Sequence, residues 1–254
     1  MKTIYKFIVK EEANKMLKSI LTVLVLLTLG LLTACGGISV RGRGDMVSRQ
    51  IDIDSFTKVN ISGGYNVIWR QTSETTLEIE MQENLFRHLN FYVADYTLFI
   101  NTNRYFRVRD DNIPRIYITS PALEAIFADG GVKAIDWSVI TKHDFSMYVN
   151  GGAMIDIELD VYNFALTVNG SASANIIGNA TNAVIYINGA TNVNAAELRT
   201  INADVSMTGS SMVYIYTIGD LTVDIYGSGL VRYLGEPNIT QRISGIGLVE
   251  SKWR

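Results

Sequence analysis

The sequence predicts an all-β protein folded as a parallel β-helix, a solenoid with coils of about 19 residues, on three observations. A glycine returns at a nearly constant interval through the second half of the chain. Apolar residues alternate on either side of it, and the residue just before it is repeatedly asparagine.

The glycines are Gly130, Gly151, Gly170, Gly189, Gly209, Gly227 and Gly245, at intervals of 21, 19, 19, 20, 18 and 18 residues. Glycine suits a tight corner because it accepts positive φ without steric cost. The segment following Gly130, "GGVKAIDW", reads as offset by one residue from the later copies.

Four and two residues before the glycines stand Met147 and Val149, Leu166 and Val168, Ile185 and Ile187, Val205 and Met207, Val223 and Ile225. Four and six residues after them come Ile155 and Ile157, Ala174 and Ile176, Val193 and Ala195, Val213 and Ile215, Val231 and Tyr233. Both sets alternate with period two, which predicts two short strands per coil, each with one apolar face. A single coil cannot bury that face alone, whereas coils stacked about 4.8 Å apart share a continuous core.

The position before the glycine reads Asp129, Asn150, Asn169, Asn188, Thr208, Tyr226 and Ser244. Asparagine stacked on asparagine can pass side-chain amide hydrogen bonds from coil to coil. Residues 126–254 are therefore expected to be regular glycine-cornered coils, within a head domain spanning 51–254. Residues 51–125 are β-rich but lie outside the repeat, and are expected to be opening coils and a cap, with a helical turn over "ENLFRHLN", Glu83–Asn90.

The first 34 residues read as a lipoprotein signal peptide rather than as part of the fold. The apolar run "SILTVLVLLTLGLLTA" follows Lys15 and Lys18, and "LLTACGG" places the only cysteine of the chain, Cys35, where a lipobox carries its lipidated residue. Translation from Met16 would leave a compact signal beginning "MLKSILTV", and residues 35–50 would be a lipid-anchored linker. Without residues 1–34 the chain has 17 basic and 23 acidic residues, a net charge of −6. That balance argues against nucleic-acid binding, which needs phosphate-neutralising cations.

Three stretches carry a resemblance: "GGISVRGRGDMVSRQIDIDSFTKVNISGGYNVIW", "ENLFRHLNFYVADYTLFI" and the glycine corners ending in "DIYGSGLVRYLGEPNITQRISGIGLV". Together they resemble the bacterial family called putative auto-transporter adhesin, head GIN domain, from about Ile38 to Val249. The resemblance implies a right-handed parallel β-helix, exported or lipid-anchored, with an adhesin-like surface role and no catalytic motif to transfer.

A polysaccharide lyase or hydrolase would need carboxylates, or a carboxylate with Arg or Lys, grouped on one face of adjacent coils. From Tyr148 to Leu248 only Arg199, Arg232 and Arg242 are basic, and the acidic residues are scattered. Arg232 and Glu250 each lie five residues after a glycine and should stack as an outward pair of little energetic weight. With two histidines, His88 and His143, and one cysteine, no zinc cluster is expected, and no cofactor. "GRGD", Gly42–Asp45, contains Arg-Gly-Asp, which animal cell-surface receptors can recognise; so short a match is expected by chance and falls in the expected linker.

Two candidate binding features remain. One is the charged stretch Asn103–Arg115 with Arg104, Arg107, Arg109, Asp110 and Asp111, which reads as a solvated connection or as a loop for an anionic glycan or protein. The other is an outward column three residues before the glycines, with Tyr148, Thr167, Tyr186 and Ser206, whose rings and hydroxyls could meet sugar rings. The function expected is a non-enzymatic, adhesin-like binding protein of the bacterial cell envelope, tethered to a membrane by an N-terminal lipid. Its partners would be polysaccharide or an envelope protein, and a homo-oligomer is compatible with the pattern. The alternatives are an envelope polysaccharide lyase or hydrolase, and a structural or stress-sensing envelope protein with a protein partner.

Overall fold

The computed structural model describes residues 39–103, 105–107, 112–134 and 137–251. From Val40 onward the chain forms one compact unit. Nine strands precede the regular coils: β1 (Ser39–Arg41), β2 (Met46–Ile51), β3 (Lys58–Ser62), β4 (Asn66–Gln71), β5 (Thr76–Gln82), β6 (Leu89–Ala94), β7 (Thr97–Thr102), β8 (Tyr105–Arg107) and β9 (Arg115–Ser120). The coils contain β10 (Ala125–Asp129), β11 (Lys133–Ala134), β12 (Ile140–Gly151), β13 (Met154–Gly170), β14 (Ser173–Gly189), β15 (Asn192–Gly209), β16 (Met212–Thr217), β17 (Asp220–Gly227), β18 (Leu230–Leu234), β19 (Asn238–Gly245) and β20 (Leu248–Ser251).

These strands wind into a β-solenoid of about seven turns, with parallel bridges about 19 residues apart. The glycines stack in register: Gly151 on Gly170, Gly170 on Gly189, Gly189 on Gly209, Gly209 on Gly227 and Gly227 on Gly245. Gly189 has φ +143°, and a Cβ there would lie 2.0 Å from the Gly170 carbonyl oxygen. The corner therefore excludes any side chain, first through backbone conformation and then through the coil next to it.

Of the twenty apolar positions flanking the five corners from Gly151 to Gly227, all but half-buried Tyr233 are fully buried. The core is thus built by the alternation, and each large aliphatic side chain removed from water stabilises it by up to about 2–3 kcal/mol.

Two expectations need correction. Lys133 pairs with Met154 and Ala134 with Ile155, so the corner at Gly130 is in register and carries no offset. Moreover the coils are not two short strands: β13, β14 and β15 run 17, 17 and 18 residues, bending through a second corner without losing their ladder. At that bend Gly178 has φ +108° and faces the Leu159 carbonyl oxygen, where a Cβ would sit at 2.0 Å. The 20-residue interval before Gly209 is absorbed by a bulge, because Asn175 pairs with Asn194 but Ile177 with Glu197.

The first coil is β3, a corner at Gly63 and β4; β3 pairs in parallel with β10, and β4 with β11. Between β4 and β10 the chain makes an excursion that closes this end of the solenoid. On their other sides, β3 pairs with β7 and β4 with β9, both in parallel. The ladder then changes direction: β6 is antiparallel to β7, β5 to β9, and β2 to β5. The β6–β7 hairpin turns at Asp95 and Tyr96, both with positive φ (48° and 56°), as a tight two-residue turn requires. The helical turn expected near Glu83 is a 3-10 helix over Glu83–His88, with Leu85 buried.

The cap is stitched over long sequence distances. Trp69 Nε1 donates to Ser120 Oγ at 2.9 Å, and Trp137 Nε1 donates to the Val67 carbonyl at 2.7 Å. Arg49 lies over the Phe86 ring, 4.3 Å from its centroid, and also pairs with Glu83. Residues 46–50, assigned to a linker on sequence grounds, are in β2 of this cap.

Candidate binding face

On the outer side of the arm that leads into the glycine corner, side chains stand in columns two residues apart, roughly 7 Å. Successive coils are about 4.8 Å apart along each column. The column three residues before the glycine contains Phe127, Tyr148, Thr167, Tyr186 and Ser206, all in register. Tyr148 and Tyr186 are 39% and 43% exposed, two coils and thus roughly 10 Å apart. Phe127 stacks on Tyr148 with centroids 4.9 Å apart and planes within 5°, a third ring that the same spacing from Gly130 would have revealed.

Amides border these rings on the side toward the corner, and Ser146, Ala165, Val184 and Asp204 on the other. Asn150, Asn169 and Asn188 stack as expected, and Asn169 Nδ2 donates to Asn150 Oδ1 at 3.2 Å. Four residues before the ring column runs a longer ladder. Asn163 donates to Asp144 at 2.6 Å, Asn182 to Asn163 at 2.9 Å, and Asn202 to Asn182 at 3.0 Å. Asn202 Oδ1 accepts the Asp220 N–H at 3.4 Å, and Asn238 donates to Asp220 Oδ1 at 3.1 Å. A third ladder, on the arm after the corner, runs from Asn194 to Asn175 to Asp156, each bond 2.9 Å.

The direction of these ladders has a chemical reason. Each amide donates toward the N-terminal coil and accepts from the coil that follows, so the foot needs an acceptor and no donor. A carboxylate meets that need, and Asp144 and Asp156 occupy the two feet. The hydrogen bond from Asn163, then one from His143, lowers the Asp144 pKa below the usual carboxylate range. Bonds in such a chain polarise one another and hold the coils in a single register.

The remaining sequence candidates fare differently. Arg104, Arg109, Asp110 and Asp111 lie outside the described residues, as do Cys35 and the signal segment. Of Arg107 only the backbone is described, in β8, which pairs with β1. Arg115, at the end of that stretch, donates to Glu80 at 2.9 Å, and Tyr117 donates to the same oxygen at 3.2 Å. Arg232 and Glu250 stack as expected, Nε to Oε1 at 2.6 Å.

The Arg-Gly-Asp tripeptide, Arg43–Asp45, lies in a loop pinned to the cap. Arg43 N–H donates to Asn84 Oδ1 at 2.8 Å, Asn84 Nδ2 to the Arg41 carbonyl at 2.9 Å, and Gln82 Nε2 to the Gly44 carbonyl at 3.1 Å.

Among the described residues no three His, Cys, Asp or Glu side chains are grouped to hold a metal ion, and no helix is long and apolar enough to cross a membrane. By register Asp129, Asp204 and Asp224 stand in or beside the ring column, whereas the ladder acceptor Asp144 lies four residues before Tyr148. The arrangement is a repetitive outer face that carries aromatic rings beside a column of amides.

The family described as "Putative auto-transporter adhesin, head GIN domain" matches residues 55–237, and the chain belongs to it. No curated protein matches the chain. A putative adhesin from Bacteroides fragilis, known from a crystal structure, superposes with a TM-score of 0.76 at 22% identity, over 84% of this chain and 100% of that one. A putative lipid binding protein from Parabacteroides distasonis gives 0.63 at 21% identity, over 85% and 100%. A putative adhesin from the same species gives 0.62 at 21%, over 84% and 100%. At these identities the likeness is one of fold.

Proposed function

We propose that the protein is an exported, lipid-anchored, adhesin-like component of the bacterial cell envelope that binds polysaccharide without cleaving it. The observation that carries this reading is the face bearing Phe127, Tyr148 and Tyr186, bordered by the column of Asn150, Asn169 and Asn188. Exposed rings meet the apolar faces of sugar rings, while amides and hydroxyls meet their hydroxyl groups in both donor and acceptor roles. Contacts of this kind are individually weak, and many copies tethered on one membrane combine them.

Membership of a family described as an adhesin supports a surface role. The apolar run ending in "LLTACGG" supports export and lipid attachment at Cys35. The charged stretch 103–115 would add contacts for anionic groups.

Sedimentation of the protein with isolated envelope polysaccharide tests the face. The reading expects co-sedimentation of the parent chain and a loss of at least about tenfold in affinity for the pair Tyr148→Ser with Tyr186→Ser, because base or sugar stacking on one ring is of the order of 1 kcal/mol. Equal retention of parent and variant would overturn the assignment of this face.

A further inference from the structure

The two ends of the solenoid are finished differently. The N-terminal end is closed by antiparallel strands, but at the other end all eight residues of β19 are exposed. Ile239, Gln241 and Ile243 continue the inward columns of Leu221, Val223 and Ile225, which are buried to within 1%. Yet Ile239 and Ile243 remain 39% and 38% exposed, and beside them Leu248 and Ile246 are 51% and 84% exposed. An uncovered edge strand with apolar side chains is a template for pairing.

Its sequence, Asn-Ile-Thr-Gln-Arg-Ile-Ser, is complementary to itself when reversed. Directly opposed residues in an antiparallel pair lie on the same face. With Gln241 on a two-fold axis, Ile239 therefore opposes Ile243 of the second copy, inward. Thr240 then opposes Arg242 of the second copy, and Asn238 opposes Ser244 of the second copy, outward. Gln241 stands alone as a polar residue in an inward column, and opposite its own twin each amide finds both a donor and an acceptor. Shifting the axis to Arg242 would set two guanidinium groups face to face, and shifting it to Thr240 would shorten the ladder and set Ile239 against Gln241.

We propose that β19 is a self-association edge, through which two copies join end to end as an antiparallel pair centred on Gln241. The chain enters at the cap, and β7, β3, β10, β12, β13, β14, β15, β17 and β19 stack in one series, roughly 40 Å from first to last. Pairing through β19 thus sets the two chain entries at opposite ends of the dimer. If both copies are lipid-anchored, as in the functional reading above, the pair bridges two facing membranes, which is homophilic adhesion. One strand pair is a small interface, so the contact is weak for one pair and effective for many.

Disulfide trapping in the full-length chain carrying Cys35→Ser tests the pairing. Opposed antiparallel residues have Cα atoms about 4.5–5.5 Å apart, within disulfide range, so Gln241→Cys is expected to give a covalent dimer under mild oxidation. Ser244→Cys, on the same exposed edge, falls six residues from its own counterpart in this register and is expected to remain monomeric. In the same chain, sedimentation equilibrium is expected to show dimerisation weakened more than about tenfold by Gln241→Lys, which opposes two ammonium groups. Absence of dimer in Gln241→Cys, or equal trapping at 241 and 244, would overturn the proposal. Because Gln241→Lys leaves the Tyr148 and Tyr186 face untouched, polysaccharide binding by that variant separates failure of this pairing from failure of the face.

Discussion

The coils from Ile140 to Gly209 and the cap from Met46 to Ser120 bury apolar side chains equally well, but by opposite rules. In the coils nearly every residue meets its counterpart one turn away, with glycine on glycine and amide on amide. In the cap the partners are distant in sequence, as with Trp69 and Ser120, and the strands reverse direction. Repetition supplies register, and irregularity supplies an end: a parallel ladder offers no natural stopping point, so a change to antiparallel pairing and a covered edge must be built in. The contrast predicts that a change in the coils is felt through the next rung, whereas the same type of change in the cap stays local.

The largest effect is expected at a coil corner. Gly189→Val would force a β-branched residue to φ +143° against the Gly170 carbonyl, and a loss of about 4 kcal/mol or outright failure to fold is expected. Gly44→Ala in the cap loop, where φ is +81° but no atom lies within 4 Å of the new Cβ, should cost only about 1 kcal/mol. Urea unfolding of the two variants measures the difference; equal losses would break the distinction between corner and loop.

Next is the middle of the long ladder. Asn182→Leu removes bonds to both Asn163 and Asn202, and a loss of about 2 kcal/mol is expected. Asn90→Leu in the cap, where the amide reaches Asn101 at 3.4 Å on an exposed surface, should be nearly neutral by the same unfolding assay.

Tyr65 sharpens the comparison from the cap side. Its ring packs against Gly63, its hydroxyl is buried without a hydrogen-bond partner among the described residues, and burial raises its pKa well above the usual phenol value. Tyr65→Phe should therefore raise stability by about 1 kcal/mol. The raised folded pKa means that the stability favouring the neutral phenol is complete below about pH 10 and is lost as pH rises above it. Alkaline unfolding curves of the variant should lack that contribution.

The smallest effect is at the ladder foot. The Asp144 pKa is lowered in the fold, so its contribution is present above the usual carboxylate range and is lost as pH falls through the folded value. Asp144→Asn should flatten the acid limb of a stability-against-pH curve by slightly lowering stability at neutral pH while leaving the acid end nearly unchanged. A steep acid limb persisting in the variant would place its origin elsewhere.

The coils were largely legible because their physics is periodic: Met147 to Ile225 on the inside, Tyr148 and Tyr186 on the outside, and Arg232 beside Glu250 are visible from spacing alone. The ladders through Asn163, Asn182 and Asn202, and through Asn175 and Asn194, lie at equally regular offsets from the glycines. They are less conspicuous in the sequence because they stand seven residues before or five after the glycine, away from the Asn-Gly pair that marks the corner. The long continuous strands were hidden for another reason: glycine marks the second corner only at Gly178 and Gly235, so that corner does not read as a repeating motif. The cap was recognisable as β-rich, but the pairing of β5 with both β2 and β9 is set by contacts that no local pattern encodes.

The most direct test of the account is a single incubation of the protein with isolated envelope polysaccharide, assayed for protein depleted from the supernatant and for newly formed saccharide ends. Depletion without new ends is the predicted result, since the face offers rings and amides for binding. New saccharide ends from the parent chain would contradict it and make the solenoid an enzyme.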